Sequence, residues 1–326
     1  MRRFLGIFII FFALHAHAEY ELGNGIQVGS LPLYLGGYFS LNYENRADVK
    51  KYSIDDLSML GYGTYEKFSY MAEFEFHDLY SETSVGDIST IKRDTQLHTE
   101  RVYFDYSYNE NYTLRVGRYN SSIGIWNLLP INVLRQTTSN PKTQNLFPNF
   151  TTGADLTYAS FDDNELKINL MLENNKDIDP TYDNYNIDKL YGLGVSYEKD
   201  EYSLKVNTGY FHTTNSFDSN LYYFLISGKY DTEMYEFSSE IGRQESKNKT
   251  TIPYTAYIQG LYRFTPKHTA ILRLETYDDK LKDKTDSFSV IGYSYRPSYP
   301  IALKSEYQFH TLNKDNQFLF SISVLF

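Results

Sequence analysis

The closing stretch Phe318-Leu319-Phe320-Ser321-Ile322-Ser323-Val324-Leu325-Phe326 decides how the fold reads. Phe318, Phe320, Ile322, Val324 and Phe326 fall on one face of an extended segment, with Ser321 and Ser323 on the other. This two-residue period marks a strand with one face in an apolar medium. The period recurs upstream. Ile301, Leu303, Tyr307 and Phe309 oppose Lys304, Glu306 and Gln308, and Ala270, Leu272 and Leu274 oppose Arg273 and Glu275. Tyr254, Ala256, Ile258 and Tyr262 oppose Thr255, Gln259 and Arg263. Tyr222, Phe224, Ile226 and Tyr230 form another stripe, as do Tyr202, Leu204, Val206 and Tyr210. Leu166, Ile168, Leu170 and Leu172 oppose Lys167, Asn169 and Glu173. Val102, Phe104 and Tyr106 oppose Arg101 and Asp105, and Phe68, Tyr70, Ala72, Phe74 and Phe76 oppose Glu73 and Glu75. Segments 57–65, 153–161 and 287–295 have mixed faces and are the weakest strands.

Composition says what the apolar faces meet. After residue 18 no apolar run approaches the ~20 residues of a spanning helix, and the mean hydropathy of -0.48 is that of a polar chain. Yet aromatics make up 17% of the 326 residues, with 33 Tyr and 22 Phe, more than one globular core uses. A sheet with lipid on one side and water on the other reconciles the two, because half the wall is apolar while the average stays polar. Tyrosine suits such a wall, its ring lying in the headgroup zone and its hydroxyl in water. At the other end of the chain, basic Arg2 and Arg3, the apolar run Phe4 to Leu14 and Ala16-His17-Ala18 have the form of a cleaved export signal. Residues 1–18 are therefore expected as a signal peptide and 19–326 as the barrel. With no cysteine the exported fold holds without disulfides. A net charge of -10 argues against a nucleic-acid partner.

Short and long connections alternate. Tight polar turns are expected at Glu66-Lys67, Asn109-Glu110-Asn111, Asp162-Asp163-Asn164, Lys199-Asp200-Glu201, Asp231-Thr232-Glu233, Thr265-Pro266-Lys267 and Arg296-Pro297-Ser298. Longer connections are expected near 44–54, 80–95, 119–152, 174–187, 214–219, 244–251, 278–286 and 311–315. These joints predict about sixteen strands with both termini on the short-turn side. Since no sheet edge can stay unpaired in hydrocarbon, the fold class is all-β, a closed transmembrane antiparallel β-barrel.

Sixteen strands leave a water-filled lumen. Expected to face it are Glu73, Glu75, Arg101, Asp105, Arg115, Lys167, Glu173, Lys205, Glu236, Glu240, Arg263, Arg273, Glu275, Lys304 and Glu306. The longest connection, 119–152, carries the only Trp, Trp126, followed by Leu128, Leu129, Pro130, Ile131 and Val133. So apolar a loop is a poor solvent face, and one of this length is uncommon without a function. Folded into the lumen, it packs its apolar side on the inner wall and narrows the channel with its polar side. Its candidate constriction residues are Arg118, Trp126, Arg135 and Lys142.

The terminal Phe326 on an alternating strand resembles the signal by which bacterial barrel proteins are recognised for outer-membrane assembly. The whole plan resembles a bacterial porin, in which the third outer loop folds into a sixteen-stranded barrel and forms the constriction. Val116-Gly117-Arg118-Tyr119 through Gly124-Ile125-Trp126-Asn127 resembles the start of that loop in the phosphate-selective O/P group. The resemblance implies a Gram-negative outer-membrane protein that passes ions and small hydrophilic solutes, lies among lipid and lipopolysaccharide, meets the barrel-assembly machinery through Phe326, and forms a homotrimer. Phosphate selectivity is not carried over, because the acidic wall positions do not make an anion filter; a weak cation preference is expected instead.

Two other readings stay open. One is a barrel enzyme such as a phospholipase, which needs a nucleophile held by a histidine. His77, His98, His212, His268 and His310 lie on separate segments with no Ser motif beside them, and each reads as a wall, loop or interfacial residue. The other is a channel for a specific or hydrophobic substrate. No HExxH motif or close His/Asp spacing points to a metal, and no cofactor is expected.

Overall fold

The computed structural model describes residues 24–161, 164–214, 219–312 and 315–326. The expected signal peptide, together with Asp162 and Asp163 of one expected turn, lies outside them. Among the described residues sixteen strands form the barrel. They are β1 (Tyr34–Arg46), β2 (Val49–Tyr65), β3 (Phe68–Val85), β4 (Gln96–Ser107), β5 (Tyr112–Asn120), β6 (Phe150–Phe161), β7 (Glu165–Glu173) and β8 (Ile187–Lys199), followed by β9 (Tyr202–Thr213), β10 (Asn220–Asp231), β11 (Tyr235–Ser246), β12 (Thr250–Thr265), β13 (His268–Asp279), β14 (Lys284–Ser298), β15 (Ile301–His310) and β16 (Gln317–Leu325). Each pairs antiparallel with its chain neighbour, and β16 pairs with β1 from Gln317 opposite Arg46 to Leu325 opposite Tyr38. That pairing closes the sheet, so no edge is left for hydrocarbon.

The chain end lies on the closing seam. Phe326 donates its N–H to the Gly37 carbonyl (2.7 Å) and accepts the Gly37 N–H (2.8 Å). Gly37 is required there, since a Cβ would stand 2.6 Å from the Phe326 ring and 2.4 Å from the Ser58 carbonyl.

Faces alternate as the sequence predicts. On β13, Leu272 and Leu274 are exposed while Ile271, Arg273 and Glu275 are buried. On β7, Leu170 and Leu172 are exposed while Met171 and Glu173 are buried. Aromatic rings meet across strands near the hairpin ends, as in Phe68–Tyr106, Tyr112–Tyr158, Tyr202–Tyr230 and Tyr235–Tyr262. These rings sit where an interfacial aromatic belt is placed in such barrels.

Five expected connections are drawn differently by the structure, two of them because the strands run into 244–251 and 278–286 and leave only 247–249 and 280–283 between them. Residues 44–54 are not a long loop: β1 and β2 run on to a two-residue turn at Ala47-Asp48, with Ala47 at φ 50°. At 80–95, β3 continues to Val85 and the chain returns as a short strand Ile88–Lys92 paired with Ser81–Val85. The polar sequence at both places had hidden a continuing ladder. Arg296-Pro297-Ser298 is the bulged end of β14, and the turn itself is Tyr299-Pro300; proline, which lacks an N–H, is tolerated at such a bulge.

Bulges also break the alternation inside one sector. The β3–β4 register shifts between Glu73 and Phe74, so that Glu73 pairs with Arg101 and Phe74 with Thr99. The adjacent Glu100 and Arg101 are consequently both buried. A second bulge, in β2 opposite Ser40 and Leu41, brings Asp55 to hydrogen-bond Asn42 and Ser53. An extra residue re-aims the side chains beside it, and here the result is added carboxylate on β1–β4.

Candidate functional site

Between β5 and β6 the chain leaves the wall for residues 121–149, with only three short 3-10 turns, Trp126–Leu128, Asn132–Leu134 and Lys142–Leu146. Its hydrogen bonds go to side chains on the buried face of the barrel. Gly124 donates to Asn207 Oδ1 (3.0 Å), and its carbonyl accepts Lys205 Nζ (3.1 Å). Ile125 N and Thr143 Oγ1 donate to the two oxygens of Glu240, each at 2.6 Å. Further along, Lys142 N meets Glu275, Arg273 donates to Ser139 Oγ (2.7 Å), Thr138 N donates to Glu306 (2.9 Å) and Lys304 Nζ donates to the Asn132 carbonyl (2.8 Å). Carboxylates thus accept from the loop's orphan N–H groups and cations cap its carbonyls, the pairing that irregular backbone away from bulk water needs.

Apolar side chains reinforce the docking. Ile123, Leu146 and Phe147 of the segment pack with Met171, Leu190, Phe211, Leu221, Tyr223 and Leu225 of the β7–β10 wall. Each fully buried chain of this size contributes about 1.5–3 kcal/mol. Trp126 is buried edge-on to Tyr257 (6.4 Å) under the Arg273 guanidinium (5.7 Å), and donates Nε1–H to Asn140 (3.3 Å).

The opposite sector is open. A cavity of about 580 Å³ lies between β1–β4 and the segment's other side. Its carboxylates are Glu44, Asp55, Asp56, Glu75, Glu100 and Asp183, six against two basic residues, Lys51 and Arg135. Tyr38, Tyr182 and Phe150 add rings. Residues 181–184, from the connection after β7, complete the lining. Tyr182 donates to Glu75 Oε1 (2.5 Å) and stacks on His98 (4.7 Å), which pairs through Nδ1 with Asp179 (3.0 Å).

The sequence-predicted residues therefore divide into groups. Glu75 and Arg135 line the open cavity. Lys205, Glu240, Arg273, Glu275, Lys304 and Glu306 hold the segment, as does Lys142 through its backbone. Glu73 pairs with Arg101, Asp105 forks with Arg115 (2.7 and 2.8 Å), Lys167 pairs with Glu165 (2.6 Å), and Arg263 pairs with Asp231 and Glu236 (2.9 and 2.6 Å). Glu173 accepts the Thr152 N–H (2.9 Å). Arg118 is fully buried at the end of β5, donating to the Thr99 and Glu100 carbonyls and paired with Asp177. Sequence reasoning missed Asp55, Asp56, Glu100 and Tyr182. The doublets Asp55-Asp56 and Glu100-Arg101 carried a usable signal, since both interrupt the alternation mid-strand, where the ladder bulges.

One loop carboxylate carries a pH dependence. Asp183 accepts the Asn149 N–H (3.0 Å) and Phe150 N–H (3.3 Å) where the segment rejoins the wall. Burial pushes it up to about 7, and nearby Asp177 adds to the rise against the pull of Arg118. The folded value exceeds the unfolded one of ~3.9, so the folded state holds the extra proton between about pH 4 and 7. This contribution to stability is complete below that window and fades as pH rises through it. Denaturant midpoints from pH 4 to 8 should show that slope in the wild type and lose it in Asp183→Asn. An unchanged slope in the variant refutes the assignment.

The model of the family described as beta-barrel porin-2, OmpL-like, matches residues 57–325. The chain belongs to that family. No curated protein matches the sequence. Among solved structures, the porin resembles OmpF of Salmonella typhi in complex with daunomycin at TM-score 0.64 and 12% identity, covering 93% of this chain and 98% of that one. It resembles an anion-selective porin from Comamonas acidovorans at TM-score 0.58 and 11% identity, covering 90% and 99%. It also resembles the trimer form of OmpT from Vibrio cholerae at TM-score 0.61 and 9% identity, covering 90% and 99%. At such identities the likeness is one of fold. Family and closed barrel together make the protein an outer-membrane channel for passive diffusion of small solutes.

Proposed function

We propose that this porin is a cation-preferring diffusion channel whose passage runs between the β1–β4 wall and segment 121–149, with that segment as the constriction. The excess of carboxylates over two basic side chains along the open cavity carries this reading, five without Asp183, which burial holds partly protonated near pH 7. A narrow cleft lined by one sign of charge concentrates the opposite ion. The wall cations that would favour anions are instead bonded to the segment or to carboxylates. In this reading residues 1–18 are the export signal and 19–326 the barrel, and the protein works as a homotrimer among outer-membrane lipid and lipopolysaccharide. OmpT of Vibrio cholerae, of similar fold, takes a trimer form. Phe326, on the closing seam, is what the barrel-assembly machinery would read.

Reversal potentials in a potassium chloride gradient test the selectivity. The wild type should favour potassium. Asp55→Asn with Asp56→Asn should lower the cation-to-anion permeability ratio on the order of twofold, and Arg135→Gln should raise it by a similar factor. Anion selectivity in the wild type refutes the reading. Ester hydrolysis by a non-conducting protein would favour a barrel enzyme instead.

A further inference from the structure

We propose that Asp56, Glu75 and His77 form a binding site for a divalent transition-metal cation of the zinc class, on the open wall of the passage. Pairing of β2 with β3 sets Asp56 directly across from His77, and Glu75 stands two residues before His77 on the same face. One ligand atom from each lies within 4.8 Å of the others. His77 Nδ1 is 3.1 Å from Glu75 Oε1 and 3.6 Å from Asp56 Oδ1. Zinc bonds of about 2.0–2.1 Å give a tetrahedron with ligand atoms roughly 3.3–3.4 Å apart. The two separations from His77 bracket that edge, and the two carboxylate oxygens, within 4.8 Å of each other, close on a metal by side-chain rotation.

The donor set also selects the metal. One imidazole with two carboxylates suits zinc and its neighbours, whereas calcium and magnesium prefer larger all-oxygen shells. Outer contacts hold the ligands in place. Tyr182 donates to Glu75 Oε1 (2.5 Å) and Ser58 donates to Glu75 Oε2 (3.2 Å). Partners of this kind orient a ligating carboxylate and raise affinity in metal sites. Asp56 and Glu75 line the cavity and His77 is about one-third exposed, so a metal can reach the three from water. A cation bound there would add positive charge where the passage is most acidic, so binding should also reduce potassium conduction.

Isothermal titration of zinc chloride into the detergent-solubilised protein reads the site without requiring conduction. The expected result is one saturable sub-millimolar site per chain. His77→Ala and Asp56→Asn should each weaken it about tenfold or more, whereas His310→Ala, which removes the remote pair with Asp286, should leave it unchanged. Calcium at equal concentration should not compete. Far-UV circular dichroism checks that each variant is folded. No saturable binding in the wild type, or full affinity in both folded site variants, overturns the proposal. Bilayer recording then adds a zinc block, reversed by chelator and lost in the two variants. This part rests on the diffusion reading above. Absence of conductance before zinc is added would count against that reading while the titration still judges the site, and a conducting wild type unaffected by saturating zinc would overturn the block.

Discussion

Replacing Leu170 by arginine lowers the unfolding free energy by about 2–4 kcal/mol, the cost of a charge at the lipid midplane of a barrel. Leu170 lies mid-way along β7, 45% exposed, and its cross-strand partners are Leu193 on β8 and Leu156 on β6. All three face outward, 40–45% exposed, forming an apolar row across three strands. An arginine there has no carboxylate within that row and must reach the interface along its own length. Lys167, three residues away, faces the other side and pairs with Glu165 in a partly exposed setting. Pairs of that kind contribute about 0–1 kcal/mol, so Lys167→Gln should move stability by less than that. Urea titrations in lipid vesicles measure both. Equal losses for the two variants would mean that the two-residue period has been misassigned.

The contrast shows what was legible in the sequence. Outward stripes such as Leu166, Ile168, Leu170 and Leu172 read directly, because lipid demands an apolar side chain at every second position regardless of what the interior does. The mixed segments have a physical reason. On β14 the inward residues Phe288 and Val290 are apolar and pack with Tyr277, so both faces look alike. On β2 the inward Leu60 is buried while the alternate positions Gly61 and Gly63 carry no side chain. The interior was less legible still. A charge placed inward by alternation can line water, pair with a neighbour or hold a loop, and the choice depends on contacts across the lumen between residues distant in sequence. Glu306 looked like a channel residue, yet it accepts the N–H of Thr138, 168 positions earlier. The open face went unread because bulges created it: Glu100 would point to lipid in a strictly alternating β4, and one extra residue turns it inward. Polar residues at 44–54 and 80–95 resembled loops because strands that extend beyond the bilayer no longer need an apolar face.

Truncating Glu240 to alanine should loosen segment 121–149, the proposed constriction. Its carboxylate joins both arms of the segment to β11 through Ile125 N and Thr143 Oγ1, with Ser227 as a further donor (3.2 Å). The fit is close, since Gly124 adopts φ 68° and a Cβ there would stand 2.6 Å from Glu240 Oε1. Bonds to a charged acceptor contribute about 1.5–3 kcal/mol each, and losing two leaves buried donors unpaired. A net loss of about 3 kcal/mol raises the undocked population roughly a hundredfold. The apolar contacts of Ile123, Leu146 and Phe147 remain, so the barrel should still form and the loss should appear in the segment alone. Freed from β11, the segment can swing toward the β1–β4 side, where the proposed passage lies. Single channels of Glu240→Ala should therefore flicker, close at lower voltage and show a smaller mean conductance than the wild type. Gly124→Val should act alike through the same contact, adding the strain of a β-branched residue at positive φ. A steady, unchanged conductance in a folded Glu240→Ala protein would show that the segment stays docked without this carboxylate, and that the apolar contacts alone hold the constriction.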